Sequence, residues 1–300
     1  MMDRPRSHQD GPDRAPIPAP SGILLGMRTT NGPIELEYET FGSPDDPSII
    51  CLTGLGNQLL LFPEEFCAAF VGRGFHVIRM DNRDCGLSSA TTADDDYTLD
   101  DMADDVIAVL DAAEVEDAVV LGVSLGGMIA QATAIGHPDR VRALVSIMST
   151  TGERGVGEAT DAAMEAMTWP AADTIADQIA LDLQARAIWS NPDWFDAEQM
   201  AAYFASCYQR SWMPGGSQRQ FDAIVRSGDR AAGLAALTMP ALVVHGRADT
   251  LIALSGGERT AELIPDAELL VIDEMSHDFV AQAWPPIIEA VTALTARTFS

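Results

Sequence analysis

Lysine is absent from the 300-residue sequence, so all 18 basic residues are arginine. This excludes lysine Schiff-base chemistry, a phosphate-binding P-loop lysine and lysine-dependent cyanohydrin cleavage. Cysteine is scarce: Cys51, Cys67, Cys85 and Cys207 are far apart and form no C-x-x-C pair. Buried reduced thiols are expected, not a zinc site, redox motif or disulfide scaffold. No run of 18 apolar residues occurs, and residues 1–20 carry charges and prolines but no apolar stretch. That predicts a cytoplasmic protein with a disordered lead and no membrane insertion. Positive charge is also short: 18 Arg against 45 acidic residues leave a net charge of −27. Such a chain repels nucleic-acid phosphates and anionic lipid. The five His are dispersed, with no H-x-x-x-H or Cys-His cluster and no dinucleotide fingerprint, so no metal and no cofactor is expected.

What remains, with 47% apolar residues and 24 Gly, suits a compact enzyme of one large domain with a smaller part appended. Residues 34–41 alternate like an exposed antiparallel strand. Residues 48–52, 75–80, 118–123, 143–148, 241–245 and 269–272 read as short strands, the first three continuously apolar. Continuous apolar runs imply burial on both faces. Helical spacing occupies 63–71, 99–113, 125–135, 257–263 and 285–296. In 99–113, Met102, Val106, Ile107 and Leu110 share one side, and Asp100, Asp101, Asp104 and Asp105 lie in the first turns, where acidic residues suit a helix N-terminus. Repeated strand–helix units predict an α/β fold with a mostly parallel, doubly wound sheet.

The alternation breaks at 150–237, where helices but no strand are legible. The expected division is a tail at 1–20, a core at 21–149 and 238–300, and a helical cap at 150–237 inserted after the sixth strand. The cap holds four of the five Trp, and Trp169, Trp189, Trp212 and Tyr208 are candidates for an apolar substrate pocket over the strand ends.

The chemistry concentrates at Gly122-Val123-Ser124-Leu125-Gly126-Gly127, between a strand and a helix. A nucleophile on a tight strand-to-helix turn needs small residues two places to either side. Ser124 needs a base. His8 is in the tail, His76 is inside a strand, His137 precedes Pro138, and His245 ends a strand near the presumed acid. His277, in the loop after the last strand, is the candidate base. Asp249, beyond the strand at 241–245, is the candidate orienting acid; Asp278 competes but is adjacent to His277. Ser, acid, His is the chain order of hydrolases with this turn.

These segments resemble the α/β-hydrolase superfamily from about residue 23 to residue 298, and within it the capped esterases that include the aclacinomycin methylesterases. The resemblance rests on Thr53-Gly54-Leu55-Gly56, the segment 81–88, the turn at Ser124, 244–249 and Ser276-His277. It implies an oxyanion hole from the backbone N–H groups of Leu55 and Leu125. Thr53, Asp84 and Ala253 depart from the residues common in that family. Segment 81–88 is expected to be structural, with Arg83 paired to a carboxylate. The expected reaction is hydrolysis of a small hydrophobic carboxylic ester, in its sharpest form a methyl ester on a polyketide-like ring system. Thioester, lactone and carbon–carbon hydrolysis and cofactor-free perhydrolysis use the same three residues and stay open. So do a ligand-binding or non-hydrolytic biosynthetic role and the oligomeric state.

Overall fold

A computed structural model describes residues 24–92 and 95–298. The expected tail at 1–20, with His8, lies outside them. Eight strands form one sheet in the order β1-β2-β4-β3-β5-β6-β7-β8. The strands are β1 (Leu24–Asn31), β2 (Ile34–Phe41), β3 (Ser48–Leu52), β4 (His76–Met80), β5 (Ala118–Val123), β6 (Val141–Ile147), β7 (Ala241–Gly246) and β8 (Glu268–Ile272). The β1–β2 and β2–β4 pairs are antiparallel and all the others are parallel.

The continuous apolar strands are buried on both faces, as their pattern implied. In β3, Ile50 and Leu52 join one core with Leu99, Met102, Val106 and Ile129. Ile49 and Cys51 join the other, with Phe66, Phe70, Ile287 and Val291. Strand periodicity of two produces this division. Five helices supply the covering layers: α2 (Leu99–Ala112), α3 (Leu125–Gly136) and α9 (Ser255–Leu263) on the first face, α1 (Glu64–Val71) and α10 (Trp284–Thr298) on the second. At the start of α2 the Thr98 hydroxyl accepts from Asp101 N–H, and the Asp101 carboxylate accepts from Thr98 N–H at 2.7 Å.

Two sequence expectations need correction. The alternation at 34–41 implies an exposed strand, yet 36–41 are all buried, including Glu37 at 3% and Glu39 at 9% exposure. The sheet continues on both sides of β2, and arginines satisfy its carboxylates: Arg28 Nε lies 2.9 Å from Glu37 and Arg79 Nε 2.8 Å from Glu39. Neutralised carboxylates can be buried where lone ones cannot. Asp105 is likewise no solvated first-turn acid. It is buried against Arg83, with Nε–Oδ2 at 2.6 Å and Nη2–Oδ1 at 2.7 Å, the carboxylate partner expected for that arginine.

Between β6 and β7 lies a helical insertion comprising α4 (Asp161–Met167), α5 (Ile175–Trp189), α6 (Ala197–Arg210), α7 (Gly216–Ser227) and α8 (Ala231–Leu234). Helix α9 (Ser255–Leu263) follows β7. The segment between β6 and β7 contributes Ala223, Leu234, Leu237 and Met239 to the first core. Buried polar contacts anchor it as well. Arg210 Nη1 donates to Asp81 at 2.6 Å, Arg219 Nη2 donates to Asp84 at 2.6 Å, and Gln58 Nε2 donates to the carbonyls of Cys207 and Ser211 at 2.7 and 2.8 Å. Asp84, a departure from the family pattern, thereby ties a core loop to α7. Its carboxylate also accepts from the N–H and hydroxyl of Thr91, which holds its backbone at φ +65°.

All four cysteines are buried and free. Burial raises their thiol pKa values, for Cys67 to about 12 and for Cys207 to about 11 from an ordinary 9.0. The fold therefore favours neutral thiols. This stabilisation is complete below pH 9 and lost as pH rises through the folded-state values. Native protein is expected to resist iodoacetamide at pH 8, to take up four equivalents after denaturation, and to lose thermal stability between pH 9 and 11. Rapid native alkylation or a flat Tm profile would contradict this.

Candidate active site

Strand β5 ends at Val123 and α3 begins at Leu125, leaving Ser124 alone on the turn at φ +56°, ψ −117°. A non-glycine residue pays for that conformation. The surroundings enforce it: Ser124 N–H donates to Ile147 C=O at 2.9 Å, while Ser124 C=O accepts from Gly127 N–H at 2.9 Å. The flanking glycines are steric requirements. A Cβ on Gly122 would lie 1.9 Å from the Gly126 carbonyl oxygen, and one on Gly126 would lie 2.0 Å from that of Leu52. The turn packs against its own helix and against the end of β3, with no volume left for a methyl group.

His277 reaches Ser124 from the loop after β8. Its Nε2 is 3.0 Å from Ser124 Oγ, and its Nδ1 is 2.7 Å from Asp249 Oδ2. Two contacts with α5 hold the loop: His277 N–H donates to Trp189 C=O at 3.0 Å, and Arg186 Nη1 donates to His277 C=O at 3.3 Å. Asp249 sits in the turn after β7. Its Oδ1 accepts the N–H groups of Leu251 and Ile252 at 2.9 and 2.8 Å, which leaves Oδ2 for the imidazole. Ser124, His277 and Asp249, drawn from three loops at the carboxyl ends of β5, β8 and β7, thus form one hydrogen-bonded line. The adjacent candidate Asp278 points elsewhere, to Arg186 Nη1 at 3.3 Å.

The other described histidines are placed apart from Ser124. His76 Nδ1 bonds Ser48 Oγ at 3.1 Å, and His137 Nε2 lies 2.8 Å from Asp104. His245 is fully buried behind the acid. Its Nε2 donates to Ile252 C=O at 2.8 Å and lies 3.6 Å from Asp249 Oδ2. Because a carbonyl can only accept, the proton is on Nε2. Burial lowers the His245 pKa and keeps the ring neutral. Two imidazoles therefore face one carboxylate, and the i, i+4 spacing of His245 and Asp249 was the available signal.

The loop 53–58 faces the turn across Gly54, where a Cβ would be 3.3 Å from Ser124 Cβ. Thr53, another departure, donates its hydroxyl to Asn57 C=O at 2.7 Å, and its own carbonyl accepts from Asn82 at 3.0 Å. Among the described residues, neither Leu55 N–H nor Leu125 N–H has a hydrogen-bond partner.

Ser124, His277, Leu55 and Leu125 border a chamber of about 310 Å³ whose other walls include Met128, Met148, Met164, Met167, Trp189, Phe221, Ile224 and Phe279. A second chamber of about 430 Å³ shares Leu55, Asn57, Met167, Arg186, Trp189 and Phe221 with the first. The aromatic pocket expected from the sequence is divided between the two. Trp189 borders both, whereas Trp169, Tyr208 and Trp212 border only the second, away from Ser124. The first chamber is roofed instead by methionines and by Phe221 and Ile224 of α7, a pair one turn apart on a helix whose overall sequence is polar. Among the described residues no group of three or more His, Cys, Asp or Glu could hold a metal ion, and no helix is long and apolar enough to cross a membrane.

Comparison with known proteins agrees with this architecture. The chain is 26% identical over 294 residues to rhodomycin D methylesterase of Streptomyces peucetius, covering 89% of this chain and 96% of that protein. It is 31% identical over 239 residues to 2-hydroxymuconate semialdehyde hydrolase of a Pseudomonas species, covering 75% and 76% of the two chains. Its fold is similar to that of the enol-lactonase from Burkholderia xenovorans, with a TM-score of 0.73 at 21% identity, covering 90% of this chain and 100% of that one. The sequence profile of the family described as alpha/beta hydrolase fold matches residues 47–282. With that match, an eight-stranded mostly parallel sheet, a helical insertion and a serine on the turn after β5, the chain belongs to the α/β-hydrolase family and is a serine hydrolase of that fold.

Proposed function

We propose that the protein hydrolyses a hydrophobic carboxylic ester through an acyl-enzyme on Ser124. The observation that carries this reading is the unbroken line from Ser124 Oγ to His277 at 3.0 Å and on to Asp249 at 2.7 Å, set in the wall of an apolar chamber. His277 takes the hydroxyl proton as Ser124 attacks the acyl carbon and returns it to the departing alcohol; it then activates water for the second step. Asp249 holds the imidazole with its proton on Nδ1 and supports the imidazolium. The N–H groups of Leu55 and Leu125, both without protein partners, bind the oxygen that becomes negative. The helices at 150–237 act as a cap. The apolar chamber takes the hydrophobic part that carries the ester, and the larger second chamber, which offers Gln58, Gln178 and Asp182 beside Trp169 and Trp212, takes a polar remainder.

A methyl ester on a polyketide-like ring system is the substrate this reading favours, supported by similarity to a methylesterase along 89% of the chain. Carbon–carbon hydrolysis is the second reading, favoured by the 31% identity to a semialdehyde hydrolase. Fluorophosphonate labelling followed by parallel assay of aryl methyl esters, lactones and vinylogous 1,5-diketones tests both. Labelling of Ser124 with fastest turnover of methyl esters is the expected result. Preferential cleavage of the diketones would transfer the assignment, and an unlabelled Ser124 in folded protein would overturn it.

A further inference from the structure

We infer that Gln220 and Tyr203, both on helices of the insertion, are positioning residues for the oxyanion site, so that the cap determines the geometry of the core's Leu55 donor. This rests on the esterase reading above, which makes Leu55 N–H one of the two donors.

The bonds act on successive peptide units. In the unit joining residues 54 and 55, the Gly54 carbonyl accepts Asn57 N–H at 3.1 Å. No cis peptide occurs among the described residues, so the Leu55 N–H of that unit points away from this bond. In the next unit both polar groups are held. Leu55 C=O accepts Asn57 Nδ2 at 3.0 Å, and Gly56 N–H donates to Gln220 Oε1 at 2.9 Å. Asn57 is restrained from the insertion as well, because its Oδ1 accepts the Tyr203 hydroxyl at 3.2 Å. Tyr203 is on α6 and Gln220 on α7.

Gln220 is fully buried and uses both ends of its amide, donating through Nε2 to Arg83 C=O at 2.8 Å. It is a strut between two core loops and has no path to solvent. Helix α7 lies directly on this backbone: a Cβ on Gly56, at φ +66°, would be 2.4 Å from Ser217 Oγ. Without Gln220, Gly56 N–H loses its acceptor, and the peptide unit beside Leu55 is held by the Asn57 side chain alone. An N–H that must meet an oxyanion at hydrogen-bond distance tolerates little displacement.

The test compares wild type, Gln220→Met, Gln220→Glu and Tyr203→Phe in the full chain. The readouts are turnover of a hydrophobic p-nitrophenyl ester, affinity for an alkyl trifluoromethyl ketone that forms a tetrahedral adduct on serine, and Tm. Gln220→Met is expected to lower kcat by roughly 100-fold, the scale of a misplaced reacting geometry, with KM little changed. Ketone affinity is expected to fall in parallel with kcat. Gln220→Glu, kept neutral by burial, keeps an acceptor for Gly56 N–H and a hydroxyl donor for Arg83 C=O, and is expected to recover part of the loss. Tyr203→Phe removes only one hydroxyl and is expected to give a smaller fall in the same direction with unchanged Tm, so the inference is tested even if Gln220→Met folds poorly. Wild-type ketone affinity and kcat in Tyr203→Phe, or in a folded Gln220→Met, would overturn the inference alone. No adduct on wild type would overturn the esterase reading and the inference with it.

Discussion

Ser124→Ala is expected to lower kcat/KM for ester hydrolysis by about 10⁶-fold, the scale on which loss of a serine nucleophile abolishes covalent catalysis. The fold is expected to survive. The strained backbone at φ +56° is held by main-chain hydrogen bonds, Ser124 N–H donating to Ile147 C=O and Gly127 N–H donating to Ser124 C=O, neither of which uses the hydroxyl. Both Ser and Ala carry a Cβ, so the left-handed conformation costs the variant no more than the wild type. What disappears is the one Oγ that His277 can deprotonate, 3.0 Å from Nε2. Residual activity from the two N–H donors and the apolar chamber persists above the rate in water. Intact-mass analysis after fluorophosphonate treatment, together with steady-state kinetics, checks this: a labelled Ser124→Ala protein, or one retaining a tenth of wild-type activity, would remove Ser124 from the reaction.

Asp249→Asn is expected to cost about 10⁴-fold in kcat with little loss of stability, by the tautomer argument for a triad acid. The surroundings of this carboxylate decide how an amide would sit. Oδ1 receives two backbone N–H groups, from Leu251 and Ile252, at 2.9 and 2.8 Å. The asparagine oxygen must occupy that position, since an NH₂ there would face two donors. Its NH₂ then faces His277 Nδ1, 2.7 Å from the present Oδ2, and needs a lone pair on it. The imidazole proton moves to Nε2, where it faces Ser124 and can no longer accept the hydroxyl proton. His245 cannot substitute, because its Nε2 is committed to Ile252 C=O at 2.8 Å. Kinetics with ¹⁵N spectra of the histidine ring nitrogens check the prediction. Wild-type kcat, or an Nδ1-protonated His277 in the variant, would show that Asp249 does not orient the base.

Much of this arrangement was legible because it is written in local signals. Continuous apolar runs at 48–52 and 118–123 imply two-sided burial by strand periodicity alone, and β3 and β5 are wholly buried. Glycines around Ser124 announce a turn too tight for side chains, and the distances a Cβ would have there supply the reason. Asp249 and His277 were identifiable by chain order, since each follows a strand whose carboxyl end lies on the same edge of the sheet.

Other features depended on pairings that separate in sequence and meet only in space. Glu37 and Glu39 alternate with apolar residues exactly as solvated positions would; the arginines that let them be buried, Arg28 and Arg79, lie on neighbouring strands. The aromatic residues of 150–237 are recognisable as a roof, but which chamber each borders depends on how five helices settle, and that placed Trp169, Tyr208 and Trp212 over the second chamber while Phe221 and Ile224 reached the first. The sequence by itself determined a doubly wound sheet, a serine turn and the order of its partners, because short-range sterics and periodicity specify them. Only the tertiary structure decided the shape of the chambers and the grip of Gln220 and Tyr203 on the loop beside Ser124, because buried side-chain hydrogen bonds at separations of 164 and 146 residues carry no local pattern.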